Sequence, residues 1–285
     1  MSSKIYPCLW FDGKAGEAAA FYCSLFSHSK ITVNTPMVVN FEIHGKKIMG
    51  LNGGPMFKIN PSISLFVLCE NIDETNRVWE KLLDGGSVLM PIDKYFWSER
   101  YGWVQDKYGM TWQVSVVEKV GDPPTLTPSM LFTQNQFGKA GEAIQWYNSI
   151  FEHAETVAMF PYPEGDTYAG KIMFSEIKIN GYNLILMDGP GEHAYTFNEG
   201  VSFVVDCADQ KEVDYYWEKL SADGGQESMC AWLKDKFGVF WQIVPVKLGE
   251  LIGSPDQVKA GRAMQAMLKM KKIIIADLEK AYDGN

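Results

Sequence analysis

The feature that most constrains this chain is that it is written twice. Lys14-Ala-Gly-Glu-Ala18, with Phe21-Tyr22, Ser24-Leu-Phe26 and His28, returns as Lys139-Ala-Gly-Glu-Ala143, Trp146-Tyr147, Ser149-Ile-Phe151 and His153. Cys69 and Trp79-Glu-Lys-Leu82 return as Cys207 and Trp217-Glu-Lys-Leu220, and Asp84-Gly-Gly86 as Asp223-Gly-Gly225. Trp103-x-x-Asp-Lys-Tyr-Gly-x-x-Trp-Gln113 returns as Trp232-x-x-Asp-Lys-Phe-Gly-x-x-Trp-Gln242. The offset drifts, which marks loop insertions near Pro161–Gly165 and Tyr95–Arg100. At about 150 residues per domain, a chain of 285 residues has room for two homologous domains. Their link falls at Val120–Thr127, where Pro123-Pro124 forbids a continuous helix.

Each copy follows one order. A short strand (Tyr6–Phe11; Met130–Thr133) leads into a helix with one apolar face: Ala18, Phe21, Tyr22, Leu25 and Phe26, then Ala143, Trp146, Tyr147, Ile150 and Phe151. Extended pieces at Lys47–Leu51 and Asn183–Met187 end in Asn52-Gly-Gly54 and Asp188-Gly-Pro190 turns. A second strand–helix pair starts at Ser62–Cys69 and at Val201–Cys207, and further strands follow. Each copy is therefore β-α-β-β-β twice. The expected architecture is α+β: two tandem domains, 1–120 and 126–248, each of paired βαβββ modules in a curved antiparallel-type sheet, with a helical tail over 249–285. In the tail Val258, Met264, Met267 and Leu268 have helical spacing, which suits docking on its own domains ahead of docking on a partner chain, as in a homodimer.

A hydrophobic share of 46% excludes general disorder, and a net charge of −9 argues against a binder of nucleic-acid phosphates. The start of the chain lacks a signal-peptide core, and no apolar run approaches the ~18 residues a bilayer span needs. Cys8, Cys23, Cys69, Cys207 and Cys230 are odd in number and without C-x-x-C spacing, so neither a disulfide framework nor a zinc ribbon is indicated. These features together describe a reduced, cytoplasmic protein without a membrane partner.

Strand alternation separates two faces. Ile63, Leu65 and Val67 oppose Ser62, Ser64 and Phe66; Trp112, Val114 and Val116 oppose Thr111, Gln113 and Ser115; Pro7, Leu9 and Phe11 oppose Tyr6, Cys8 and Trp10. One face is apolar and suits helices. The other mixes small polar and aromatic groups, as a small-molecule cavity does. Trp10, Phe66 and Trp97 strengthen that reading, because leaving them exposed is costly. The pocket candidates are Cys8, Trp10, Ser64, Trp97 and Gln113 in the first copy, and Ser202 and Gln242 in the second.

These motifs, with Trp10-Phe-Asp-Gly-Lys-Ala-x-Glu-Ala-Ala-x-Phe-Tyr22, Ser64-x-x-Val-x-Cys69, Tyr101-Gly-Trp103 and Asp235-Lys-Phe-Gly-x-x-Trp-Gln-Ile243, resemble the vicinal oxygen chelate superfamily, and within it the PhnB-like branch. The resemblance covers about residues 4–247. It implies glyoxalase-like domains whose modules cup an active site. Many relatives carry a 3-demethylubiquinone 3-methyltransferase label, but the glycine-rich turn after a first Rossmann strand that methyl transfer calls for is not in this sequence. Relatives with a metal use His or Gln on each module's first strand and Glu on its last. Here the closing pattern gives Gln113 and Gln242, and the first-strand positions hold Tyr6, Cys8 or Trp10, and Ser129, Met130 or Phe132. His28, His44, His153 and His193 all lie elsewhere. An amide is a weaker ligand for a hard cation than a carboxylate, so no cofactor and no classical metal site is expected.

Weaker constellations remain. Cys8 lacks a basic neighbour in sequence to activate it, and Glu42 and Glu176 lack a second catalytic group. Trp97 and Arg100 sit in an insertion that either closes over the first copy's mouth or forms a hairpin tip. The leading expectation is a binder of a small organic molecule. The alternatives are a metal-dependent glyoxalase- or dioxygenase-type enzyme, a non-enzymatic sequestering protein of the drug-resistance type, and a degenerate protein whose cavities are filled by its own aromatics, which the lack of an enclosed void beside Gln113 or Gln242 would favour.

Overall fold

A computed structural model describes residues 4–117, 119 and 123–284. The first module runs β1 Ile5–Phe11, α1 Ala15–Leu25, β2 Lys30–Asn34, β3 Val38–Ile43 and β4 Lys46–Asn52. The second runs β5 Ile63–Cys69, α2 Ile72–Leu83, β6 Ser87–Tyr95, β7 Ser98–Gln105 and β8 Thr111–Val116. The third is β9 Thr125–Phe132, α3 Ala140–Ile150, β10 Glu155–Pro161, β11 Ile172–Ile179 and β12 Tyr182–Asp188. The fourth is β13 Val201–Cys207, α4 Gln210–Leu220, β14 Gln226–Glu227, β15 Trp232–Lys234 and β16 Phe240–Pro245. The tail holds α5 Val246–Ile252, α6 Gln257–Met267 and α7 Ile275–Asp283.

The four βαβββ modules are thus present. In each, the first strand pairs in parallel with the last, across the helical crossover. The sheets are accordingly mixed, with parallel pairs inside the antiparallel meanders. Residues 120–122 of the expected link lie outside the described residues. Its remainder is strand: β9 begins at Thr125, five residues before the expected Met130, because Thr125–Pro128 pairs antiparallel with Leu68–Leu65 of β5. That pairing joins the second module of copy one to the first module of copy two. The result is one eight-stranded sheet in the order β10-β11-β12-β9-β5-β8-β7-β6.

By contact density the chain divides into two units, residues 6–201 and residues 1–5 with 202–285. The first unit holds the eight-stranded sheet and the run β1-β4-β3-β2. The second holds the run β14-β15-β16-β13 and the tail. In the first unit, Ile63, Leu65, Val67, Trp112 and Val114 are buried against helices, as alternation requires. Gly102 on β7 has no Cβ to block the Trp79 ring of α2, which lies 2.5 Å from where a Cβ would stand.

The repeated motifs have repeated local roles. Asn71 caps α2 by accepting from Glu74 N–H, and the Glu74 carboxylate accepts from Glu70 N–H. Asp209, Glu212 and Ala208 do the same at α4. This is reciprocal capping of otherwise orphaned donors. The Asn52 and Asp188 turns cap the other helices: Ala15 N–H donates to Asn52 Oδ1, and Ala140 N–H to Asp188 Oδ1. His44-Gly45 and Asn180-Gly181 each place two successive residues in the left-handed region, which joins two strands by a tight hairpin. Gly85 follows α2 with φ +75°, whereas after α4 the left-handed residues are Asp223 and Gly224, because that helix stops earlier, at Leu220.

The tail docks on its own unit. Leu248, Leu251, Ala263, Ile273 and Leu278 are buried in one cluster with Ala231. Ile275 N–H donates to Gln210 Oε1 of α4, and Cys230 and Ala231 N–H donate to Met270 and Lys271 carbonyls. The short β14–β15 hairpin is thereby supported by tail residues where copy one has a long free-standing hairpin. Arg262 fastens the end of the chain: its guanidinium donates to the carbonyls of Ala281 and Tyr282, the last turn of α7. Arg262→Ala is expected to cost about 1–2 kcal/mol locally, visible as faster hydrogen exchange in 275–284 with the sheet unaffected.

Candidate functional site

In the eight-stranded sheet, the face turned away from the helices carries a row of polar residues across four strands. Trp103 on β7 stands opposite Gln113 on β8, and Ser64 on β5 stands opposite Ser129 on β9. Gln113 closes the gap between the pairs: its Nε2 donates to Ser64 Oγ at 2.7 Å, and its Oε1 accepts from Tyr101 OH at 2.8 Å. Burial pushes the Tyr101 hydroxyl far above its ordinary range, so it stays protonated and keeps donating. Ser98 and Ser115 hydroxyls pair at 2.9 Å beside this row. Ile185 on β12 continues it past Ser129, and Glu176 on β11 stands opposite Ile185.

Two polar atoms of the row are buried and have no hydrogen-bond partner among the described residues: Ser129 Oγ and Trp103 Nε1. Ser129 itself is 1% exposed. A buried polar group left unpaired costs about 1–3 kcal/mol, and such atoms cluster where another molecule completes them. Phe66 and Trp97 approach Tyr101 at ring-centroid distances of 6.2 and 5.6 Å, giving the row aromatic borders.

The expected pocket residues are sorted by this arrangement. Ser64 and Gln113 are brought together, and Trp97 reaches them through Tyr101. Trp97 is nevertheless 45% exposed, at the tip of the β6–β7 hairpin, where it stacks on Tyr95 at 4.8 Å instead of being covered. Arg100 points the other way, donating to Asn76 on α2. Cys8 and Trp10 stand in the separate run β1-β4-β3-β2 and do not meet Gln113. Trp10 packs its ring flat over Gly53, donates to the Gly54 carbonyl and meets Phe57 edge-on. With Lys14, Lys58 and Tyr108 it walls a surface groove of about 740 Å³. Within it Glu17 accepts from both Lys14 and Tyr108. In the second unit, Gln242 Nε2 donates to Ser202 Oγ at 2.9 Å, and Trp232 stands opposite Gln242, repeating the row. Cys230, which the repeat aligns with Tyr101, lies in a left-handed turn before β15.

Tyr101, Trp103 and Ser129 were not singled out from sequence as pocket residues. Alternation along β7 was the available signal for the first two. The closing motif itself is mainly structural. Asp106 Oδ1 accepts from Tyr108 and Met110 N–H, its Oδ2 accepts from Trp112 Nε1, and Gly109 turns with φ +89°. Burial raises the Asp106 carboxyl pKa despite these donors. Its final Gln faces the row.

Among the described residues no three of His, Cys, Asp and Glu come together as a group able to hold a metal ion. His28 and His153 occupy left-handed turn positions after α1 and α3, and His44 the β3–β4 turn. The thiols of Cys8, Cys69 and Cys207 are buried, and burial pushes Cys69 up to about 12. A thiol reagent is therefore expected to modify Cys23 and Cys230 in the native protein and to spare the other three even at pH 9. Denaturant should release all five, as mass spectrometry of the labelled peptides would show.

The model of the 3-demethylubiquinone-9 3-methyltransferase family matches residues 3–115 and again 124–244. The chain belongs to that family. It is a PhnB-like member with the vicinal oxygen chelate fold. A PhnB protein of Bacillus cereus, titled as a 3-demethylubiquinone-9 3-methyltransferase, is 34% identical over 41% of this chain and 98% of its own, with a TM-score of 0.37. Protein YjdN of Escherichia coli (strain K12) is 31% identical over 81 residues, 28% of this chain and 55% of that protein. The chain thus spans about half the length of that curated relative. Glyoxalase I of Zea mays shares the fold at 9% identity, with a TM-score of 0.55 over 84% of this chain and 90% of its own. No helix among the described residues is long and apolar enough to cross a membrane.

Proposed function

We propose that this PhnB-like chain binds a small organic molecule on the polar face of its eight-stranded sheet, centred on Gln113, and holds it by hydrogen bonds without a divalent metal. The observation that carries this reading is the buried, unpartnered Ser129 hydroxyl within the ordered row Trp103–Gln113–Ser64–Ser129. A rigid polar row with an unsatisfied end and aromatic borders is what a small-molecule site needs.

The donor set does not fit the family's metal. The Gln113 carbonyl oxygen, which also accepts from Tyr101, is a neutral amide and a weaker ligand for a hard cation than a carboxylate. The neighbouring positions supply serine hydroxyls and an indole, neither of which competes with carboxylate or imidazole for such ions. Methyl transfer in the Rossmann manner is not carried over from the family's name either. Each module's first strand pairs with the last strand of its own three-strand meander, a different topology from successive βα units.

The test is elemental analysis of protein purified without chelator, together with a thermal-shift screen of uncharged small molecules. The proposal expects well under one divalent ion per chain, and stabilising compounds whose effect disappears in Gln113→Leu. One tightly held divalent ion per chain, or hits indifferent to Gln113→Leu, would overturn it.

A further inference from the structure

The groove walled by Trp10 has room, rings and charge of its own, apart from the polar row. Its volume of about 740 Å³ lies wholly within the first unit, among the end of β1, the start of α1, the loop after β4, the turn after α2 and the β7–β8 turn. Small-molecule sites measure about 300–1,000 Å³. Three half-buried rings line it: Trp10, Phe57 and Tyr108. Each is fixed in place. Trp10 lies on Gly53, where a Cβ would stand 2.1 Å from the indole, and its N–H donates to the Gly54 carbonyl at 2.7 Å. Phe57 meets it edge-on at 4.9 Å. Tyr108 donates its hydroxyl to Glu17, and its ring approaches those of Phe21 and Tyr22 at 5.8 and 6.0 Å. With the indole N–H and the phenol engaged, these side chains offer the groove π surface.

Six charged residues border the same space: Lys14, Lys58 and Lys107 with Asp12, Glu17 and Asp106. Two of the carboxylates are committed. Glu17 accepts from Lys14 Nζ at 3.0 Å as well as from Tyr108. Asp106 is 3% exposed and directs its oxygens to the Tyr108 and Met110 amides and the Trp112 indole. Lys58 and Lys107 have no carboxylate partner among the described residues; Lys107 Nζ lies over the Phe21 and Tyr108 rings instead, 4.9 and 5.3 Å from their centroids. Asp12 is exposed and likewise unpaired among the described residues. Two unpaired ammoniums against one unpaired carboxylate leave one positive charge unmatched, in a chain whose net charge is −9. An uncharged ligand would cover those ammoniums without replacing their hydration, and a second negative charge would face Asp12 and Glu17.

We infer that this groove takes a flat aromatic compound carrying a single negative charge, its ring against Trp10, Phe57 and Tyr108 and its acid group within reach of the Lys58 and Lys107 ammoniums. This site is separate from the row at Gln113 and takes the opposite class of compound, a charged one.

Three probes test it by calorimetry on the full chain at low salt: 2-naphthoate; 2-naphthamide, which has the shape without the charge; and decalin-2-carboxylate, which has the charge without a flat ring. Naphthoate should bind about fivefold more tightly than either, and raising the salt to about 0.5 M should erase most of its advantage over the amide. Lys58→Gln and Lys107→Gln should each weaken naphthoate roughly three- to fivefold, and Asp12→Asn should tighten it roughly twofold. Lys219→Gln, which removes an exposed ammonium from α4 in the other unit, should leave it unchanged. All four positions are exposed, so the melting temperatures should stay at that of the unmodified chain. Backbone amide shifts on adding naphthoate should centre on Gly54, Gly85 and Gly109. Naphthamide binding as tightly as naphthoate, decalin-2-carboxylate binding more tightly than either, or Lys58 and Lys107 variants no weaker than Lys219→Gln would each overturn the inference. So would amide shifts centred on Ser64 and Ser129, or no binding of naphthoate at all.

Discussion

Asp106→Ala should lower stability by about 4 kcal/mol, among the largest effects of any single polar substitution in the chain. The carboxylate is 3% exposed and serves three donors: two turn amides and the indole of Trp112, itself fully buried. Removing it leaves three buried donors unpaired at about 1–3 kcal/mol each, part of which is recovered where water reaches the turn amides. Asp106→Asn keeps one acceptor oxygen and should cost about half as much. Asp235→Ala should behave alike in the second unit, since Phe237 and Val239 N–H and the Trp241 indole converge on that carboxylate at 2.9, 3.0 and 2.9 Å. The check is a urea midpoint that falls while the slope of the transition stays constant. A cost below about 1 kcal/mol would show that the repeated Asp-x-x-Gly-x-x-Trp motif does not anchor the closing strand.

The largest effect on binding belongs to Gln113. Leucine at that position matches its bulk but withdraws the amide that joins Ser64 to Tyr101, leaving both hydroxyls without their partner. The expected loss of affinity for compounds that stabilise the unmodified chain in the thermal-shift screen is thirty- to a hundredfold, about 2–3 kcal/mol. Gln242→Leu, the equivalent change on β16, should alter that affinity less than twofold. Calorimetry on both variants decides the point, and equal losses in the two would place the site outside the eight-stranded sheet.

The repeat, the four modules and the two faces of each strand were legible because they rest on local rules. Period-2 alternation set Ser64 and Gln113 on one face, and the structure joins them by a hydrogen bond. The lateral order of strands was not legible. β5 and β9 pair across the repeat boundary through backbone groups that every residue possesses, so no side-chain pattern announces it. That pairing places Ser129 beside Ser64, and for this reason Ser129 was weighed from sequence only as a metal position. Trp10 and Trp97 stand apart from Gln113 for a different reason. Aromatic character predicts burial in general but not against what, and here one ring covers Gly53 and the other stacks at a hairpin tip. The tail's place was half legible: its amphipathic spacing indicated docking, while its use as a support for the short β14–β15 hairpin depends on a length difference between the copies.

The account turns on whether a small molecule seats beside Gln113 through hydrogen bonds alone. A crystal structure of chelator-treated protein soaked with the most stabilising compound of the thermal-shift screen measures this directly. The account predicts ligand density on the polar face of the eight-stranded sheet beside Gln113, with a hydrogen bond to the Ser129 hydroxyl. Density in the groove walled by Trp10 and Phe57, or a bare row at Gln113 in crystals grown with the compound, would contradict it.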